Sequence, residues 1–105
     1  AFIYGDQGAG GRMEKMIAGN FVTIFSWNKN LADGNWHNFE ISSAQGENQV
    51  WIDGRMMGRW EDPEPLTEGW MTIEHDFWTA DAHAYYDNFA VCNLNAPFVS
   101  IFAEE

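Results

Sequence analysis

The chain is poor in cysteine, proline and basic residues, with one Cys, three Pro and five Lys+Arg in 105 positions. The lone Cys92 excludes an intramolecular disulfide and a cysteine-based zinc site, and its apolar neighbours suit a small buried residue. Against the five basic residues stand sixteen acidic ones, for a net charge of −11 with His neutral. All five lie in residues 1–59 beside six acids, whereas residues 60–105 hold ten acids and neither Lys nor Arg. Such a surface repels phosphate backbones, so nucleic acid and anionic membranes are excluded as partners. It suits neutral or cationic ligands, or a hard metal ion. No apolar run approaches the roughly 18 residues of a membrane-spanning helix, and no basic leader precedes an apolar stretch, so membrane insertion is not expected. No asparagine is followed two places on by Ser or Thr, so no N-glycosylation signal exists. Ala1 opens the chain in place of Met, as in a mature form or a piece of a longer polypeptide.

What the chain has in quantity is aromatic and apolar material: 46% hydrophobic residues, six Trp and eight Phe. That excludes disorder, and the length fits a single domain spanning residues 1–105. The dominant period is two. Residues 20–27 (NFVTIFSW), 36–42 (WHNFEIS), 48–53 (NQVWID), 69–75 (GWMTIEH), 83–92 (HAYYDNFAVC) and 98–102 (FVSIF) read as strands. Turn signals separate them at Asp33-Gly34, Gln45-Gly46, Asp53-Gly54 and the Pro63/Pro65 stretch. Asp53-Gly54 is the strongest hairpin signal, because a type I′ turn needs positive φ at both central residues. Residues 12–17 (RMEKMI) are the one segment that reads as either helix or strand. Short strands at this spacing predict an antiparallel sandwich or barrel.

Alternation assigns side chains to faces. Phe39 and Ile41 oppose Trp36, Asn38 and Glu40; Val50 and Ile52 oppose Gln49 and Trp51; Met71 and Ile73 oppose Trp70 and Glu74. One face is aliphatic, and the other mixes Trp with amides and carboxylates. An exposed Trp face needs a cover. One solution is burial against a second sheet or partner chain, with the indole N–H groups hydrogen-bonded. The other is a ligand surface, on which indole rings stack against pyranose C–H faces and amides and acids meet the hydroxyls.

Four pieces in order carry a resemblance: Trp36-His37-Asn38-Phe39, Val50-Trp51-Ile52-Asp53-Gly54, Gly69-Trp70-Met71-Thr72-Ile73, and Tyr86-Asp87-Asn88-Phe89-Ala90-Val91. This succession, over residues 34–92, resembles the C-terminal half of concanavalin A-like lectin/glucanase domains, which include laminin G-like and polysaccharide-binding jelly rolls. The resemblance implies an all-β fold, an antiparallel β-sandwich of jelly-roll type, often with bound calcium and with carbohydrate as ligand. Members of that superfamily are longer than this chain. It is therefore expected to be compact, a fragment, or completed by a second copy as a homo-oligomer, since a missing half leaves strand edges exposed.

Retaining glucanases of that superfamily carry two acids on one strand face about 5 Å apart. Glu61-Asp62-Pro63-Glu64 contains Pro, and Glu74-His75-Asp76 lacks the second acid at the right spacing. No phosphate loop, G-x-S-x-G or H-E-x-x-H occurs. Asp76, Asp81, Asp87 and Asn88 offer hard oxygens to a structural calcium (Ca2+), and Asp87 matches the acid of the closing strand by resemblance. His37 reads as a core or rim histidine, and Arg55 and Arg59 as partners of Glu61 and Asp62. The expected function is non-catalytic binding of a neutral oligo- or polysaccharide by an extracellular protein. Its ligand residues are Trp36, Asn38, Gln49, Trp51, Trp60, Trp70 and Glu74. The alternatives are a polysaccharide-degrading enzyme, or a fragment of one, and an assembly module that uses the Trp face as a protein interface.

Overall fold

A computed structural model of the chain describes residues 2–5, 10–31, 33–65, 85–92 and 100, the first four by their backbone. The described elements are all strands: β1 (Phe2–Gly5), β2 (Gly11–Ile17), β3 (Asn20–Trp27), β4 (Phe39–Ala44), β5 (Glu47–Ile52) and β6 (Arg55–Glu61). They form two antiparallel three-stranded sheets, ordered β1-β2-β3 and β4-β5-β6. The ambiguous segment 12–17 lies in β2, because its neighbours give it a strand to pair with on either side. No described segment is a helix long and apolar enough to cross a membrane.

Each two-residue hairpin turn among the described residues has an X-Gly pair with both residues at positive φ: Ala18 (51°) and Gly19 (83°), Gln45 (54°) and Gly46 (80°), Asp53 (51°) and Gly54 (80°). This is type I′ geometry, whose twist matches that of the flanking strands. Ala18 is the misfit, since a Cβ is unfavourable there and Asn or Gly is the usual occupant.

The sheets meet where β3 lies against β6. A Cβ built on Gly58 of β6 would lie 2.3 Å from the Phe25 ring of β3, so only a glycine lets the two strands come this close. Around this contact Met13, Trp27, Val50 and Ile52 form the buried cluster, joined by Ile24, Phe25, Leu31 and Met57. Ile24 and Met57 each sit at a register shift, one in β3 opposite Met13/Glu14 and one in β6 opposite Val50/Trp51. The two bulges turn an extra apolar side chain toward the core and add twist.

Phe39 and Ile41 share a face with Val50 and Ile52, as alternation requires, yet both are exposed. Among the described strands β4 is the one farthest from the β3–β6 contact, so that core does not reach them. The other face of that sheet is covered: Ser42, Ala44, Glu47, Gln49 and Trp51 are buried. Buried Ser100 donates from Oγ to Glu40 Oε1, so the chain returns to this face at residue 100. The strands expected at 69–75 and 98–102 lie outside the described residues, apart from Ser100. The strand expected at 83–92 is not seen over 85–92, which is exposed and carries no regular structure. Asn88 there has φ 55°, a left-handed conformation that interrupts an extended run.

Two measurements check this account. Gly58→Ala should lower unfolding free energy by about 1–3 kcal/mol in urea denaturation, the usual range for overpacking, and Phe25→Leu in the same chain should restore part of the loss. Ala18→Asn should raise stability by about 1 kcal/mol, by removing the left-handed penalty on a Cβ-bearing residue that lacks a compensating side chain.

Candidate functional site

At the end of β6 the chain leaves the sheet through Asp62, whose backbone N–H donates to Gly46 O at 2.7 Å in the β4–β5 turn. Asp62 Oδ1 accepts the Glu64 backbone N–H at 2.9 Å, a local turn that folds the Pro63 segment back. Across the gap, Lys15 of β2 shares its sheet face with Met13, and its ammonium donates to both Asp62 carboxylate oxygens at 2.7 Å and to Glu64 O at 2.7 Å. The same ammonium stands 5.7 Å from the centroid of the Trp60 ring, within cation–π range. These groups line an open groove of about 400 Å³. Its lining joins Lys15, Met16 and Ile17 of β2 with Trp60 of β6 and with Asp62 and Glu64 beyond that strand.

The lysine sets the charge of the site. Burial pushes the Asp62 carboxyl up, but hydrogen bonds from Lys15 and the Glu64 N–H outweigh it, and the net shift is downward. Asp62 is thus held as a carboxylate and a poor proton donor, with both oxygens engaged by Lys15. Trp60 stays part-exposed with the ammonium beside it.

A second polar cluster stands at the opposite end of the same sheet. Between Asn48, which pairs with Trp60, and Ile52, which precedes the Asp53 turn, β5 rises by roughly 13 Å at about 3.3 Å per residue. There His37 lies between two carboxylates, with Nδ1 2.7 Å from Asp53 Oδ2 and Nε2 2.8 Å from Asp33 Oδ1. Asp53 Oδ1 accepts the Asn38 backbone N–H at 2.9 Å, the Asp53 N–H donates to Asn38 O at 2.9 Å, and Lys29 lies 3.4 Å from Asp53 Oδ2. Asp33 falls from its ordinary value to about 2, first because His37 hydrogen-bonds it and then through the Asn35 N–H. Asp53 is lowered as well: burial raises it, but His37, the Asn38 N–H and Lys29 outweigh that. His37 is raised, by Asp53 first and Asp33 second. Trp36 stands beside this cluster 71% exposed, and Asn38 is exposed too.

The sequence-predicted ligand residues are therefore dispersed. Trp60 lies in the groove, and Trp36 and Asn38 at the far end of the sheet. Trp51 is only 9% exposed, and its indole N–H donates to Gln49 Oε1 at 2.9 Å, so these two residues satisfy each other inside the protein instead of lying open. Trp70, Glu74, Asp76 and Asp81 lie outside the described residues. Of the calcium candidates, Asp87 and Asn88 are exposed, and Asp87 Oδ1 accepts the Asn88 N–H at 2.8 Å. Among the described residues no group of three His, Cys, Asp or Glu is placed to hold a metal. The pairing expected for Arg59 and Asp62 is revised: Arg59 pairs with Glu47, its cross-strand neighbour but one, and Asp62 pairs with Lys15. Lys15 escaped the sequence reading because its partner lies 47 residues away, just beyond the end of β6.

The acid limb of stability follows from these carboxylates. Groups whose folded pKa is lowered contribute stability that is present above their unfolded value, about 3.9, and lost as pH falls through the folded value. The melting temperature should therefore hold from about pH 6, where the contribution of the raised His37 is complete, to about 4 and drop below it, with Asp62→Asn giving a lower value at about pH 6 and a shallower acid decline in calorimetry.

Comparison with protein-family models, with curated proteins and with solved structures finds no match for this chain.

Proposed function

We propose that the protein is a non-catalytic carbohydrate-binding module that takes a neutral oligo- or polysaccharide in the groove beside Trp60. The observation that carries this reading is the union, in one open groove, of an indole ring with a carboxylate and an ammonium that neutralise each other. An indole offers a flat apolar surface for a sugar's C–H face, and fixed polar groups at its edge give orientation, the usual make-up of a small-ligand site. The surrounding acidity disfavours phosphate or uronate ligands. Two antiparallel sheets meeting at β3 and β6, with the Trp-His and Asp-Gly pieces at the entry to β4 and the β5–β6 turn, support a small β-sandwich of the concanavalin A-like, jelly-roll kind. A glycan ligand fits an extracellular setting.

The enzyme alternative is weaker. Glycoside hydrolysis needs one carboxyl held protonated as general acid, and Asp62 is pushed the other way by Lys15. Assembly is favoured by one observation, the exposed Met16, Ile17, Phe21 and Val22 at the β2–β3 turn, which would suit a second copy of the chain.

A glycan array run with and without calcium, followed by calorimetric titration of the best neutral oligosaccharide, tests the reading. Trp60→Ala should weaken binding at least about tenfold, equivalent to about 1.4 kcal/mol, whereas Trp51→Phe should leave affinity within about twofold. Retained affinity in Trp60→Ala, or no hit among neutral glycans, overturns it. Tryptophan fluorescence that responds to dilution and to no glycan favours assembly.

A further inference from the structure

Trp36 is the most exposed of the four described tryptophans, and it sits in a loop, residues 33–38, that is held by polar ties. An ionised carboxylate only accepts hydrogen bonds, so His37 can satisfy Asp33 and Asp53 together only when both of its ring nitrogens carry hydrogen. The same two carboxylates also take the backbone N–H groups of Asn35 (3.0 Å) and Asn38 (2.9 Å), the residues just before and two beyond Trp36. The imidazolium thus joins the start of the loop to the β5–β6 turn, with Trp36 carried on the span between.

We infer that the Asp33–His37–Asp53 clamp is a proton-dependent latch that holds Trp36 outward as an aromatic contact for ligand, with His37 as its positioning residue. What Trp36 would touch rests on the carbohydrate reading; the latch itself does not. A neutral imidazole has one N–H and one lone pair, so on deprotonation one carboxylate faces a lone pair and lets go. The Asp33 bond is the weaker member. Asp33 is exposed and keeps Asn35, while the Asp53 side is braced by Asn38 and Lys29. Release there frees the first turn of the loop.

The groups facing His37 among the described residues are Asp33 from its own loop and Asp53 from the β5–β6 turn, with Lys29, beyond the end of β3, acting through Asp53. Two carboxylates outweigh one ammonium, in keeping with the upward shift of His37. A raised folded value means that the latch contributes fully below the unfolded histidine value and is lost as pH rises through the folded one. Asp33 and Asp53, both lowered, remain ionised through mild acid. The latch is closed from mildly acidic pH and opens on the alkaline side.

The test uses the full chain without ligand. ¹H–¹⁵N spectra from pH 5 to 9 follow the His37 ring nitrogens, the Trp36 indole N–H (assigned by its loss in Trp36→Phe) and the Asn38 amide. All three should titrate with one midpoint above the ordinary histidine value of about 6.5, and exchange of the Asn35 amide in the freed first turn, corrected for its intrinsic pH dependence, should speed up above that midpoint. His37→Gln should abolish the transition at Trp36 and Asn38, and Asp33→Asn should move the His37 midpoint down. A His37 midpoint at or below the ordinary value, or Trp36 and Asn38 signals that stay still while His37 titrates, overturns the latch. With a bound neutral oligosaccharide, apparent affinity at the midpoint should fall about twofold, as expected when half the molecules are competent. Absence of sugar binding at every pH would remove the carbohydrate reading while the ligand-free spectra still decide the latch.

Discussion

The close crossing of β3 and β6, with the Phe25 ring laid on the bare backbone of Gly58, is the contact on which the rest of the structure depends. Each sheet alone has three strands and one apolar face, too little to persist in water unless that face is covered. Packing one sheet on the other buries Met13, Val50 and Ile52 completely, and within the first sheet Trp27 lies over its cross-strand partner Gly11, where a Cβ would fall 2.4 Å from its ring. A core this small has little redundancy. The two bulges that bring Ile24 and Met57 inward add to it without lengthening the strands.

Charge finishes what apolar burial leaves open. Lys15 closes the gap between sheets at one end through Asp62, and His37 ties the loop before β4 to the turn after β5 at the other. In a chain with so many more acids than bases, each cation is a scarce counter-charge, and these two are spent at the places where an aromatic ring stands open to solvent. The polar ties and the exposed tryptophans thus belong to the same two regions, which is why the groove and the loop, rather than the covered sheet face, carry the functional argument.

Much of the fold was legible in the chain. β3 begins and ends where its β-branched and aromatic run does, and the Asp53-Gly54 turn has the backbone its residue types require. The Ala18-Gly19 turn was not legible, because alanine is a poor signal for a left-handed residue. Alternation placed Val50 and Ile52 correctly but misjudged Phe39 and Ile41, since a period of two reports the face and not the distance from the sheet's packed edge. It also separated Gln49 and Trp51 from the apolar face without revealing that this second face is covered and that the two side chains bond each other. The groove itself depended on a long-range pair, Lys15 with Asp62, that no local pattern announces.

The tight X-Gly turns have a kinetic corollary. In both sheets every hydrogen-bonded neighbour is also the next strand in the chain, so pairing can proceed by zippering from each bend with short loops to close. The only encounter among these strands that must bring distant segments together is the docking of the third strand onto the sixth. The order of events implied is two meanders that zip transiently and persist only once they dock, so substitutions at the centre of that encounter should slow folding more than those in the bends.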